Sequence, residues 1–371
     1  MDEIKSRPRQ LAVNAPLDAG LQDSRIEPYS SLFILGKLGV PFRLLRPVLI
    51  LARQRLNWSP LQILVELWRL LTNFGMRREI LSLLQLPPFD EIVQINPGLA
   101  FKYVVPNYLA RGFTVSERVS CFLHHYRRMH AALPENVLRE ILQRDVTLHE
   151  IVKDGSRFAV TIGMAKPPFD KEGELSLNLK VDGKSIFHLL FIIAPGWIIK
   201  SEVVEILLIT CLQGARGANP QIKVVLKTLH EYSPRRLLLA ALQGIADAFG
   251  NVPIAAVCAN NQKSYSEELA AILTHSYDDF FAALGMSKTA EGFFFSPTPI
   301  EGKPVELFKE RQRPLAIERR ATRDQLQSAC ASFFLSVVNR VADSSSGAAV
   351  LATASGDLNS RVSPVSRAAL E

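Results

Sequence analysis

The stretch from Val203 to Asn261 constrains the fold most, because it has the pattern of a strand, a turn, two helices and a second strand. Residues Val203–Leu212 are apolar and rich in β-branched side chains, which is typical of a strand buried on both faces. Ser233 opens the second helix as its N-cap, and Val252–Ala259 forms the returning strand. This order predicts a βαβ crossover with two parallel strands. Its ligand is expected at the turn beyond the carboxyl end of the first strand.

The turn between the first strand and the first helix suits an anion. It offers exposed backbone N–H groups, a helix N-terminus and the guanidinium of Arg216. The alternative is a tight turn whose glycines serve backbone geometry alone, and the sequence leaves both interpretations open. The residues predicted to bind the anion are Gln213, Gly214, Arg216, Gly217 and Ala218.

Charge and cysteine usage limit the partners and the compartment. The chain has 43 Lys and Arg against 36 Asp and Glu, and its net charge of +7 favours anionic partners. The four cysteines show no metal-ligand or redox spacing, so we expect buried free thiols in a reducing compartment and no metal. The adjacent His124 and His125 would point to different faces of a helix, which also argues against a metal site.

No segment has the pattern of a signal peptide or a membrane span, so we predict a cytoplasmic protein. The apolar and basic segment Leu32–Leu56 has two interpretations. It forms either helices with a core-facing side and a solvated basic side, or a contact with anionic lipid at the inner membrane surface. A nucleic-acid partner is not expected, because the basic run between Arg311 and Arg323 has no interleaved aromatic residues.

The periodicity of the chain changes at about residue 146. We predict a disordered tail over residues 1–28, a helical N-terminal region over 29–145, a mixed α/β domain over 146–340 and a second disordered tail over 341–371. In the helical region Thr114 and Glu117 form a capping box.

Two hairpin turns, Asp154-Gly155 and Asp182-Gly183, divide the start of the sheet into an antiparallel meander. In its third strand the alternation predicts that the apolar positions from Leu175 to Val181 are buried and that Ser176 and Asn178 are exposed. After the parallel strands we expect a helix capped by Ser264 and a closing strand pair, Gly292–Ser296 with Val305–Lys309. A last helix is expected near Gln325–Val338.

Several stretches match a known family in order and spacing. They are Ser116-Glu117-Arg118, His125-Tyr126, Lys171 to Leu177, Leu212-Gln213-Gly214, Lys227 to His230, Ser233 to Leu239, Tyr277 to Phe281, Leu284-Gly285 and Gly292-Phe293. On these residues the chain resembles, from about residue 30 to 335, the VirK/YbjX family of bacterial proteins. The resemblance implies a role in virulence, envelope properties or resistance to antimicrobial peptides in Gram-negative bacteria, and it implies no particular reaction.

The meander and the following parallel pair also resemble the GNAT acyltransferase fold. We therefore predict an α+β protein, with a helical N-terminal region followed by a GNAT-like mixed β-sheet flanked by helices. In that fold the phosphates of the acyl carrier lie on the turn after the first of two splayed parallel strands. The resemblance implies acyl-CoA or acyl-carrier protein as the cofactor. The turn here has one residue more than the GNAT pattern, and the crossover has two helices instead of one.

Acyl transfer needs a general base, and three residues are candidates for it. Glu174 opens a meander strand, Glu205 lies in an apolar strand, and His230 ends a helix. Tyr277 occupies a place comparable to the GNAT tyrosine that protonates the leaving thiolate. Each has an alternative role: a solvated carboxylate for Glu174, an ion pair for Glu205, a helix cap for His230 and a core aromatic for Tyr277.

The expected function is acyl transfer to a lipid, a peptide or an envelope precursor. The rival is a non-catalytic accessory protein that binds a partner or the membrane surface. The sequence has no G-x-S-x-G, Walker A or H-E-x-x-H motif.

Overall fold

A computed structural model describes residues 74–229, 232–300 and 302–353 of the chain. The predicted N-terminal tail and the segment Leu32–Leu56 lie outside the described residues. The first helices are α1 (Phe74–Leu84), α2 (Phe89–Ile95), α3 (Val115–Ala132) and α4 (Glu135–Gln143), with a 3₁₀ segment at Pro97–Val104. The capping box that opens α3 is confirmed, because the Thr114 hydroxyl accepts from the Glu117 N–H while the Glu117 carboxylate accepts from the Thr114 N–H.

An eight-stranded sheet follows, and it is mostly antiparallel. Its strands lie in the order β1-β2-β3-β4-β5-β6-β8-β7, and only β5 and β6 run parallel. The fold is therefore α+β with a mixed sheet, and both predicted hairpin turns join the strands they were expected to join. The strands are β1 (Val146–Lys153), β2 (Ser156–Met164), β3 (Leu175–Val181), β4 (Lys184–Pro195), β5 (Glu205–Gly214), β6 (Ile254–Val257), β7 (Ser287–Lys288) and β8 (Phe293–Ser296).

The burial of β3 confirms one half of the prediction and corrects the other. The apolar residues from Leu175 to Val181 are buried, but Ser176 and Asn178 are also buried, with only 5% and 6% exposure. The reason is the connection between β2 and β3, which folds back over the second face of the sheet. Phe169 of this connection packs against a small apolar cluster that includes Leu190 of β4. The strand is thus covered on both faces, and its polar residues bond one another instead of water.

The crossover from β5 to β6 contains α5 (Asn219–Thr228) and α6 (Pro234–Ala248), as predicted. Ser233 caps α6, since its hydroxyl accepts from the Arg236 N–H at 3.4 Å. Helix α6 packs on β3, β4 and β5, and it is covered in turn by α9 (Arg313–Thr353). Helix α9 begins twelve residues before the predicted start of the last helix. Residues 354–371, which belong to the predicted C-terminal tail, lie outside the described residues.

The segment after β6 differs from its prediction. Ser264 caps no helix. Instead a 3₁₀ turn at Glu267–Leu269 leads into α7 (Ala270–Leu273), a π-helical turn at Thr274–Asp278 and α8 (Asp279–Ala282). The predicted closing strand Val305–Lys309 is also wrong, because Val305–Leu307 forms a 3₁₀ turn. The partners of β8 are β6 and the two-residue β7, which lies just before β8 along the chain.

Candidate functional site

The two parallel strands separate soon after they meet. They pair only from Leu207 with Ile254 to Ile209 with Ala256. Beyond this point β6 ends at Val257, while β5 continues to Gly214. The backbone of β5 therefore has no β6 partner over its last residues, and a wedge-shaped gap opens at the carboxyl ends of the two strands. This is the place where open α/β sheets usually bind ligands.

Tyr277 fills this gap. Its hydroxyl accepts a hydrogen bond from the Leu212 N–H at 3.1 Å and lies 3.7 Å from the Cys211 sulfur. Tyr277 is only 4% exposed. The phenol oxygen thus replaces a β6 carbonyl as the acceptor for the Leu212 N–H, and it lies between the diverging strands.

A π-helical turn presents Tyr277 to the strands. Such turns are rare and occur frequently at functional sites. The next residue, Asp278, fixes the turn from two sides. Its carboxylate accepts from the Ala259 N–H at 2.7 Å, just after β6, and pairs with Lys288 Nζ at 2.7 Å. Asp278 therefore anchors the turn on the β6 side of the gap, and the Tyr277 hydroxyl contacts β5 on the other side.

Charged side chains surround the phenol and the thiol. Lys263 Nζ lies 3.5 Å from the Glu172 carboxylate, and both side chains remain partly exposed. Burial, together with the charge of Glu172 and a hydrogen bond to it, raises the pKa of the Cys211 thiol well above its usual range. Burial and the neighbouring Cys211 likewise raise the pKa of Tyr277. Both groups are therefore protonated at neutral pH. We name Glu172, Cys211, Lys263 and Tyr277 the strand-gap cluster.

The predicted anion-binding turn lies next to this cluster along β5. Two of its N–H groups are already engaged, because Ala215 donates to the Ile186 carbonyl and Ala218 to the Ala215 carbonyl. Arg216 and Gly217 are exposed, and Ala218 precedes α5. Gly217 has a φ of +74°, so any side chain there would strain the backbone. Gln213, the first residue of the turn, is half-buried, and Gly214 is exposed.

Glu205 lies at the opposite end of β5. Its carboxylate accepts two hydrogen bonds of 3.1 Å from Arg128 and lies 3.3 Å from His124 Nε2. Burial raises the pKa of Glu205, but the bonds from His124 and Arg128 more than offset this and lower it overall. Seven residues of extended strand separate Glu205 from Leu212, which is about 23 Å at about 3.3 Å per residue. The structure therefore does not bring Glu205 and Tyr277 together.

Glu174 forms a third, separate group. It is 0% exposed, and its carboxylate accepts from Lys102 Nζ at 3.1 Å, from the Tyr108 hydroxyl at 2.5 Å and from the Tyr126 hydroxyl. All four side chains are buried between the N-terminal helices and the sheet. The environment is thus a closed hydrogen-bonded ion pair, which is neither an open catalytic position nor a solvated strand face. His230 lies outside the described residues.

Among the described residues there is neither a metal-binding group nor a membrane-spanning helix. No group of three or more His, Cys, Asp and Glu side chains has the geometry to hold a metal ion. No described helix is both long and apolar enough to span a bilayer.

One comparison with known proteins gave a match. A model of a protein family of unknown function (DUF535) matches residues 64–332, which is more than half of the chain. The chain belongs to the DUF535 family. DUF535 is the VirK/YbjX family, so the resemblance seen in the sequence is confirmed. No curated protein and no solved structure matches the chain.

Of the three predicted catalytic residues that the structure describes, Glu174, Glu205 and Tyr277, only Tyr277 reaches the gap between the parallel strands. Sequence reasoning missed Glu172, Cys211 and Lys263 as its neighbours. The one signal in the sequence that could have pointed to Glu172 was its place in a stretch that carried the family resemblance. Its contact with Cys211 depends on how the β2–β3 connection folds back over the sheet, which periodicity does not reveal.

Proposed function

We propose that this DUF535 protein is an acyltransferase that uses acyl-CoA or acyl-carrier protein as its donor. The observation that carries the proposal is the position of Tyr277, whose hydroxyl lies where β5 and β6 separate and accepts a hydrogen bond from the Leu212 N–H. A phenol and a backbone N–H at one point can stabilise a reacting carbonyl and its leaving group. The anion-binding turn is part of the same strand end.

The arrangement of the strands also supports a GNAT-like reading of the sheet. An antiparallel meander from β1 to β5 leads into a short parallel pair that splays apart. In GNAT enzymes the thioester lies in such a splay and the carrier phosphates on the following turn. Here the corresponding groups would be the Leu212 N–H for the thioester carbonyl and the residues from Gln213 to Ala218, with Arg216, for the phosphates.

In this reaction the acceptor attacks the thioester carbonyl carbon, and the bond from carbon to sulfur breaks. Tyr277 gives its proton to the departing thiolate and is reprotonated from solvent. The high pKa of its phenol keeps it protonated before the reaction. The family context favours a lipid, a peptide or an envelope precursor as the acceptor. A location in the cytoplasm at the inner membrane surface would bring the enzyme to such substrates.

The second candidate is an accessory protein that binds a partner and has no reaction of its own. One observation favours it, namely that the Tyr277 ring occupies the gap and is nearly inaccessible. An acyl carrier could enter only if the π-helical turn moved away from β5. Carrier binding therefore discriminates between the two functions.

The test is a calorimetric titration with CoA and with acyl-carrier protein, followed by measurement of thiol release from acyl-CoA. Arg216→Ala removes one charge-assisted contact and should weaken carrier binding roughly tenfold to a hundredfold. Arg311→Ala, at another exposed arginine, is the matched control and should bind as the wild type does. Tyr277→Phe should retain binding and lose most thiol release. A wild-type protein that binds neither carrier would exclude the acyltransferase and leave the accessory function.

A further inference from the structure

A row of polar side chains crosses four adjacent strands next to the strand-gap cluster. Thr161 of β2 pairs with Asn178 of β3, Asn178 with His188 of β4, and His188 with Gln213 of β5. Direct cross-strand partners share one face of a sheet, so these four side chains form a continuous band. We name it the polar row. It interrupts a sheet whose inner positions are otherwise largely apolar.

Hydrogen bonds fix the imidazole in the middle of this row. The Asn178 side-chain oxygen accepts from the Ser176 hydroxyl at 2.7 Å and from His188 Nδ1 at 2.7 Å. The orientation of the amide is consistent, since its nitrogen faces the Ser176 carbonyl. His188 Nδ1 therefore carries the proton, and Nε2 keeps a free lone pair. The Phe169 ring packs against the His188 imidazole, with 5.4 Å between the ring centroids.

The polar row has capacity for a further ligand. The Thr161 hydroxyl is buried, with 3% exposure for the residue, and has no hydrogen-bond partner among the described residues. Within the same part of the chain, no side chain bonds His188 Nε2. His188 and Gln213 are only half-buried, so this end of the row is accessible.

The row lies on the same face as the thiol of the strand-gap cluster. Cys211 is two residues from Gln213 on β5, and its cross-strand partner Leu190 is two residues from His188 on β4. His188 and Cys211 are thus diagonal neighbours, for which the separation is about 7–8 Å. Tyr277, in turn, lies 3.7 Å from Cys211. The imidazole and the phenol thus lie on either side of the Cys211 thiol, at a separation that an attacking atom, the thioester and the leaving sulfur would span.

We propose that the polar row from Thr161 to His188 binds the acyl acceptor, while Gln213 stays with the carrier, and that His188 is the general base of the transfer. This inference rests on the proposed acyltransferase function. His188 Nε2 takes the proton from an acceptor hydroxyl or amine, whose oxygen or nitrogen then bonds to the thioester carbonyl carbon. The carbon–sulfur bond breaks, the thiolate takes the Tyr277 proton, and the proton on His188 returns to Tyr277 through solvent. Asn178 and Ser176 are positioning residues that hold the tautomer.

The charges around His188 suit a base that is neutral at physiological pH. Burial lowers the pKa of His188, and the charge of Asp145 opposes this. Asp145 itself is paired with Lys166 at 2.9 Å and Lys180 at 2.7 Å, which weakens its effect on the imidazole. The acceptor site thus presents hydrogen-bonding groups and little net charge, which fits a polar, uncharged nucleophile.

The test measures thiol release from acetyl-CoA and palmitoyl-CoA as a function of pH, with glycerol as an uncharged acceptor. His188→Gln should lower kcat at least about 100-fold and abolish the acidic limb of the pH profile, while CoA binding stays unchanged. His130→Gln, the same substitution at an exposed histidine of α3, is the matched control. Full activity of His188→Gln with an unchanged pH profile would overturn the assignment and leave the acyltransferase function intact. No thiol release by the wild type would reject both.

A second variant keeps the test valid if His188→Gln does not fold. Asn178→Asp places a carboxylate on the protonated Nδ1 and should raise the pKa of His188. The acidic limb of the profile should then move up by about one pH unit. A merely structural Asn178 would affect the melting temperature and leave the limb in place, which would count against the proposal.

Discussion

The closed ion pair around Glu174 gives the sharpest prediction about stability. Lys102→Met should destabilise the fold severely, because it leaves the Glu174 carboxylate buried with only two phenols as partners. The side chains of Lys102 and Glu174 are 2% and 0% exposed. At 3.1 Å and an effective dielectric of about 20, the attraction that is lost is roughly 5 kcal/mol. Breaking one side of a buried pair usually costs about 3–5 kcal/mol, and we expect a loss in this range.

The assay is urea unfolding followed by circular dichroism at pH 7. Glu174→Gln should cost a similar amount, since it leaves the Lys102 ammonium unpaired. The loss in unfolding free energy of the double variant should be at least about 2 kcal/mol smaller than the sum of the two single-variant losses, because both charges are then absent. Arg127→Met on α3, next to Tyr126, breaks an exposed pair with Glu79 and should cost less than about 1 kcal/mol. A loss below 1 kcal/mol for Lys102→Met would refute the reasoning.

Three further predictions concern packing and pH. A Cβ at Gly244 would lie 2.2 Å from the Gln327 carbonyl, so Gly244→Ala should separate α6 from α9 and lower the melting temperature, although alanine favours helices; an unchanged melting temperature would contradict this contact. The His125 imidazole accepts a hydrogen bond from the Ile193 N–H, and burial lowers its pKa to about 3, so the NMR signals of this ring should not titrate between pH 8 and 5. Below pH 6.5 the unfolded chain protonates this histidine while the folded chain does not. The free energy of unfolding should therefore fall with falling pH, by up to about 1.4 kcal/mol per pH unit. Because the pKa of Glu205 is lowered in the fold, Glu205→Gln should cost most at pH 7, and its difference from the wild type should shrink as pH falls below about 4.5; a difference independent of pH would exclude the ion pair.

Local sequence signals predicted the elements whose geometry is local. The capping box at Thr114, the two Asp-Gly hairpins and the Ser233 cap of α6 each depend on residues within four positions of one another. The βαβ crossover was also predictable, since β-branched runs and helical stripes alternate there. The order of the first six strands followed from these elements together.

The failures share one cause, which is contact between distant segments. Ser176 and Asn178 were predicted to be exposed because they alternate with apolar residues along the strand. This alternation shows which face of the strand is polar, but it does not show which segment covers that face. The β2–β3 connection covers it, and the same fold-back brings Glu172 to Cys211. Glu174 appeared to be a strand-face carboxylate for a similar reason, since Lys102 and Tyr108, more than sixty residues earlier, close over it. Tyr277 was proposed from the GNAT resemblance, and its place after the second parallel strand follows from topology.

We propose that an acyl carrier binds where β5 and β6 separate. Native mass spectrometry of the purified chain with palmitoyl-CoA and with acyl-carrier protein tests this most directly. We expect an intact complex with at least one of these carriers, and a weaker complex when Arg216 is replaced by Ala. Wild-type protein that retains neither carrier, under conditions in which its fold is intact by circular dichroism, would contradict the claim.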